Sequence, residues 1–166
     1  MKRRSFIQKS ALSTGALTMT GTLTYANSLT NTTNAHQFNL KYAPHIGMFK
    51  HLAGDDPIAQ LNFMADQGFT AFEDNEMRKR PIDVQEKMAD TMKKRGLEMG
   101  VFVAHEIYWK EPNLASGDLD KRIEFLNDIK SSIDVAKRVN AKWMTIVPGH
   151  LDLKLRMGHQ TANVVE

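Results

Sequence analysis

Three residues that end helices set the frame of this sequence. Gly68, Gly96 and Asn140 each close a stretch with helical apolar spacing, and each is followed within three residues by a short apolar run. Glycine and asparagine tolerate the left-handed backbone that stops a helix, so each marks a passage from helix into strand. The helices before them are legible. Asp55, Asp56 and Pro57 give an acidic cap with proline in the first turn, followed by the stripe Ile58, Leu61 and Ala65. Asp83 and Glu86 form a capping-box pattern ahead of Val84, Met88 and Met92. A third helix after Gly117 carries Ile123, Leu126, Ile129, Ile133, Ala136 and Val139 at intervals of three or four, the spacing of a core-facing stripe.

The runs between them read as strands: Phe38 to Ala43, Phe69 to Phe72, Leu97 to Ala104 and Trp143 to Val147, with a fourth helix starting at Thr161. The third run has no charge after Glu98, as expected of a strand covered on both faces. Strands that begin about 30 to 45 residues apart with a helix between them are βα units, joined by right-handed crossovers into a parallel sheet. The expected class is α/β, as the first four βα units of a (β/α)8 TIM barrel, incomplete at the C-terminus because such a barrel needs about 250 residues. The alternative is a small doubly wound sheet, complete as written. It lacks the glycine-rich phosphate loop that usually follows the first strand of that class.

The N-terminus is of another kind. Lys2-Arg3-Arg4-Ser5-Phe6-Ile7 resembles the twin-arginine export motif, and Ala11 to Thr24 is a weakly apolar run. Residues 1–26 are expected to be a signal peptide, residues 27–37 a polar linker, and residues 38–166 the barrel segment. The expected destination is the periplasm or beyond. The signal also explains the charge. Of 22 Lys and Arg, four lie before residue 27, where no acid occurs, so 18 bases face 19 acids in the remainder. A near-neutral domain gives no basis for a nucleic-acid partner. With no cysteine, disulfides and thiolate sites are excluded, and no run of about 20 apolar residues supports a membrane span.

In a barrel of this kind chemistry gathers at the C-terminal strand ends. Those ends carry His45, then Glu73-Asp74-Asn75-Glu76, then His105-Glu106, then His150. Imidazoles and carboxylates there suit a divalent metal or sugar hydroxyls, so His105, Glu73, His45 and His150 are the substrate-pocket candidates. Each also has a structural reading as a loop tether or an exposed turn residue. Tyr108 and Trp109 either wall the pocket or pack their loop on the rim. Arg78, Lys79 and Arg80 read as a solvated charge run.

The segment from Phe38 onward resembles the N-terminal half of the hydroxypyruvate isomerase family, among the xylose-isomerase-like barrels. The resemblance rests on Gly68-Phe69-Thr70-Ala71-Phe72-Glu73, Gly96-Leu97-Glu98-Met99-Gly100-Val101-Phe102, Val139-Asn140-Ala141-Lys142 and Thr161-Ala162-Asn163-Val164. It implies an aldose–ketose isomerase acting on hydroxypyruvate or a related small sugar through an ene-diol, with carboxylates moving the proton. It also implies a divalent metal in a full-length protein, with no ligand assignable here. The resemblance puts the principal catalytic carboxylates on strands five to eight, beyond residue 166, and carries over only Glu73, in a secondary role. A non-catalytic sugar-binding barrel and a metal-dependent endonuclease-type barrel are the alternatives. Half a barrel leaves strand edges and apolar faces open, which suits a homo-oligomer.

Overall fold

The computed structural model describes residues 38–166; the expected signal peptide, residues 1–26, and the expected linker, residues 27–37, lie outside the described residues. Among the described residues five α-helices, α1 (Lys50–Ala53), α2 (Pro57–Asp66), α3 (Ile82–Arg95), α4 (Leu119–Arg138) and α5 (Met157–Val165), alternate with short strands. The strands are β1 (Ala71–Phe72), β2 (Glu98–Met99), β3 (Val101–Val103) and β4 (Trp143–Thr145). β1 pairs with β2 and β3 with β4, both in parallel. A parallel bridge joins His45 to Glu73, where Ile46 N–H donates to Glu73 O at 2.9 Å and Glu73 N–H to Pro44 O at 3.0 Å. Sequence order and spatial order therefore run together across the described residues.

Local chemistry explains most of the boundaries. Asp56 caps α2 by accepting from Ile58 and Ala59 N–H, and Pro57 supplies the preset φ of the first turn. Asp118 caps α4 in the same way, accepting from Asp120 and Lys121 N–H. Gly68 and Gly96 take positive φ at the ends of α2 and α3, and Asn140 does so just past α4, alone among the described non-glycine residues.

Several expectations are corrected. Residues 38–43 form no strand; Phe38 stacks on Phe69 with ring centroids 4.7 Å apart and meets Tyr42 edge-on, so aromatic packing bends this segment. Helix α3 starts at Ile82 behind Pro81, two residues earlier than a cap at Asp83 requires, and Asp83 instead pairs with Lys87 one turn on. The run from Leu97 to Ala104 divides at Gly100, where a Cβ would lie 3.0 Å from Phe72 O and 3.1 Å from Glu73 Cγ, a tight fit that favours glycine. Strand β4 ends at Thr145 and α5 begins at Met157, not Thr161.

The core lies between the strands and helices α2, α3 and α4. It contains Leu61, Met64, Phe72, Met77, Met88, Met92, Leu97, Met99, Phe102, Val135 and Val139. Five of these are methionines, unbranched side chains that fill the irregular space left by very short strands. Helix α4 departs from its expected face. It turns Asp128, Ser132 and Val135 inward together with Ala136 and Val139 of the expected stripe, and leaves Ile123, Leu126 and Ile133 of that stripe exposed. Polar anchors decide this orientation: Ser132 Oγ donates to Ala104 O at 2.6 Å, and Asp128 Oδ2 accepts from Glu106 N–H at 2.9 Å.

Candidate functional site at the strand ends

The loops following the strands are fixed from below by a repeated device. Gln60, Gln85 and Gln160 are all buried, and each is the fourth residue of its helix. Gln60 donates to Gly54 O and accepts from Gly47 N–H. Gln85 donates to both Met77 O and Arg80 O and accepts from Arg138. Gln160 donates to Leu155 O and accepts from Asp152 N–H. A buried amide carries both donors and acceptors, so one side chain satisfies loop groups of either polarity. The sequence reading missed these residues. Their signal was a glutamine three positions after each helix start in three of the four units.

A second device ties the strand ends sideways. His105 is 2% exposed; its Nδ1 lies 2.7 Å from Glu106 O, and its Nε2 accepts from Val147 N–H at 2.8 Å. His45 repeats the arrangement, with Nδ1 2.5 Å from Ile46 O and Nε2 accepting from Asn75 N–H at 3.0 Å. Acceptance at Nε2 assigns the ring proton to Nδ1 in both, where it donates to the carbonyl of the next residue. The two candidate histidines are therefore clips between neighbouring strand ends. Their Nε2 lone pairs are already used.

Glu73 differs. Its main chain holds the bridge to His45, while its partly buried side chain crosses Gly100 and takes no hydrogen bond or ion pair among the described residues. Its neighbour Asp74 is fully buried and accepts from Arg80 Nε and Nη2 and from Glu76 N–H at 3.2 Å. The charge run of Arg78, Lys79 and Arg80 is thus not free. Arg78 binds Asp128 at 3.0 Å, Lys79 binds Glu106 at 2.9 Å, and Arg80 holds Asp74. The hydrogen bond to Glu106 raises the pKa of Lys79.

A cavity of about 160 Å³ opens between the loops after β1 and β3, lined by Asn75, Glu76, Lys79, His105, Glu106 and Trp109 among others. Trp109 is exposed at its mouth, whereas Tyr108 turns away and donates to Glu124 at 2.7 Å. That bond pushes the Tyr108 phenol up to about 12 and fastens the loop to α4. The two aromatic residues thus divide the roles that the sequence left open. His150 stands apart, bridged to Pro112 in a groove with Lys110 and Lys154, its Nδ1 2.8 Å from Leu151 O. A larger cavity, about 530 Å³, lies at the opposite ends of the strands, where α3 and α4 finish.

A divalent metal does not fit these residues by themselves. His45 and His105 have no lone pair to offer, and no group of three His, Asp or Glu with ligand spacing occurs among the described residues. The arrangement instead offers one unpaired carboxylate, an amide, paired charges and an aromatic face at the C-terminal ends of parallel strands. No family model, curated protein or solved structure matches the chain. No helix of the described residues is long and apolar enough to cross a membrane.

Proposed function

We propose that this chain supplies four βα units of an isomerase-type barrel and that their strand-end rim binds hydroxypyruvate or a related small sugar. The observation that carries the reading is Glu73, an unpaired carboxylate beside Gly100 at a strand end, where parallel α/β proteins hold their ligands. The parallel pairing of neighbours in sequence order supports the barrel reading. Trp109 adds an aromatic surface for C–H groups of a sugar, and Asn75, Glu76 and Glu106 add donors and acceptors for its hydroxyls. These residues bind and orient a substrate. Calorimetric titration with hydroxypyruvate and short aldoses is expected to show saturable binding. Glu73→Gln and Trp109→Ala are each expected to weaken it about tenfold, roughly 1.4 kcal/mol. Absence of binding to the parent chain, or unchanged affinity in both variants, would refute the proposal.

The proposal includes export by the twin-arginine route, on the strength of Arg3, Arg4 and Phe6. Replacing both arginines by lysine is expected to hold the chain in the cytoplasm, as fractionation and immunoblotting would show. Undiminished export would dismiss this part.

A further inference from the structure

We propose that the outer face of α4 is a self-association surface, on which a second copy of this chain docks with its own α4 antiparallel. The helix is apolar on two opposite sides. At about 100° per residue, Ser132, Val135 and Val139 point to the core, while Leu119, Ile123, Leu126, Lys130, Ile133 and Lys137 form a separate line nearly opposite. The aliphatic members of that line are 63%, 47%, 46% and 45% exposed, respectively. A helix lying beside α4 covers a flank and not this line. Arg122 shows where such a neighbour sits: it reaches Asn163 O and Glu166 Oε2, both at 3.1 Å, from the side of α4. The fold already described leaves the outer line without a purpose.

The charges choose the occupant and its direction. Asp120 is near the start of α4, and Lys130 and Lys137 are in its second half. The Lys137–Asp134 contact is 3.8 Å long with both groups about three-quarters exposed, so it does little to hold Lys137. A parallel pair would set each lysine against its twin. An antiparallel pair with its two-fold axis near residue 128 brings Lys137 to Asp120 of the second copy at both ends. Between them Ile123 meets Ile133 of that copy, and the two Leu126 side chains meet across the axis. Such a surface matches itself, as a two-fold contact requires. Asp120 and Asp134 flank the line and repel an anionic lipid surface, which otherwise suits a helix with lysines among aliphatic residues. One helix pair spans about 30 Å and falls below the size of standard stable interfaces, so association should depend on concentration.

The natural sequence has no cysteine, which makes the test clean. In the antiparallel pair, cysteines introduced at position 130, on the outer line itself, would lie about 5 Å apart along the axis and those at position 119 about 28 Å apart, from the helical rise. Under mild oxidation of the full chain, Lys130→Cys is expected to give a disulfide dimer rapidly and Leu119→Cys is not. Equal cross-linking at both sites, or at neither, overturns the proposal. Sedimentation velocity gives an independent reading. Leu126→Glu should raise the dimer dissociation constant at least tenfold, Lys137→Glu or Asp120→Lys should weaken association severalfold, and the double exchange should restore it. Failure of that rescue, or binding to vesicles of phosphatidylcholine and phosphatidylglycerol that Leu126→Glu abolishes while the chain stays monomeric, also overturns it.

Discussion

Replacing Asp74 by alanine is expected to cost the folded chain about 3–5 kcal/mol, the largest effect of any single polar substitution in the described residues. Asp74 is fully buried, and its carboxylate holds the guanidinium of Arg80 and the Glu76 N–H together. With the carboxylate gone, a largely buried cation keeps its desolvation cost without its anion. A domain of this size has a total stability on the order of 5–15 kcal/mol, so the variant should be close to unfolding. Urea titration followed by circular dichroism measures the difference. A double variant, Asp74→Leu with Arg80→Met, removes both charges and should recover much of the loss, because neither partner is left exposed to an apolar environment. A single variant within 1 kcal/mol of the parent would mean that water already satisfies the pair. The rim depends on this bond because Asp74 and Arg80 bracket the turn that presents Asn75, Glu76 and Lys79 to the cavity.

His105→Ala is the second large effect, about 2–4 kcal/mol. The substitution removes the acceptor of Val147 N–H, the donor to Glu106 O and the ring that packs 4.6 Å from Phe125. Leaving the Val147 amide unpartnered in a partly buried place accounts for part of the cost, and the cavity beside Phe125 for the rest. Hydrogen exchange separates this from general destabilisation: the Val147 amide should lose protection ahead of the Gly100 amide, which bonds Phe72 O on the neighbouring strand. Equal loss at both would mean that the clip has no local role. His45→Ala should cost less, since that ring is only partly buried and its clip to Asn75 is open to water.

These two residues show how unevenly the sequence disclosed the site. His105 was singled out because it directly follows an apolar strand, and its position at the rim is as the sequence suggested. Its chemistry was not readable, since a histidine offering a lone pair and one that has already used it are identical in sequence. The difference is whether the Val147 amide, 42 residues away, comes within hydrogen-bond distance. Asp74 was passed over as one acid in a cluster of four polar residues. Burial separated it from Glu73, and burial depends on which side of β1 each residue occupies. The charge run was misread for the same reason, because the carboxylates that hold Arg78 and Lys79 come from α4 and from the loop after β3.

The helix-ending residues that opened the reading were determined by the sequence alone. Gly68, Gly96 and Asn140 all have positive φ, and Asp56 with Pro57 starts α2 as their chemistry requires. Backbone sterics and capping act over a few residues, so a short window of sequence contains the whole cause. The face of α4 was decided only by the tertiary structure. Its aliphatic stripe has the spacing of a core face, but Ser132 and Asp128 bond the end of β3 and the loop beyond it, so Ala136 and Val139 of that stripe reach the core while Ile123, Leu126 and Ile133 stay outside. Periodicity reports that a helix has an apolar side. Which side meets the core depends on hydrogen-bond partners that are distant in the chain and meet only when it folds.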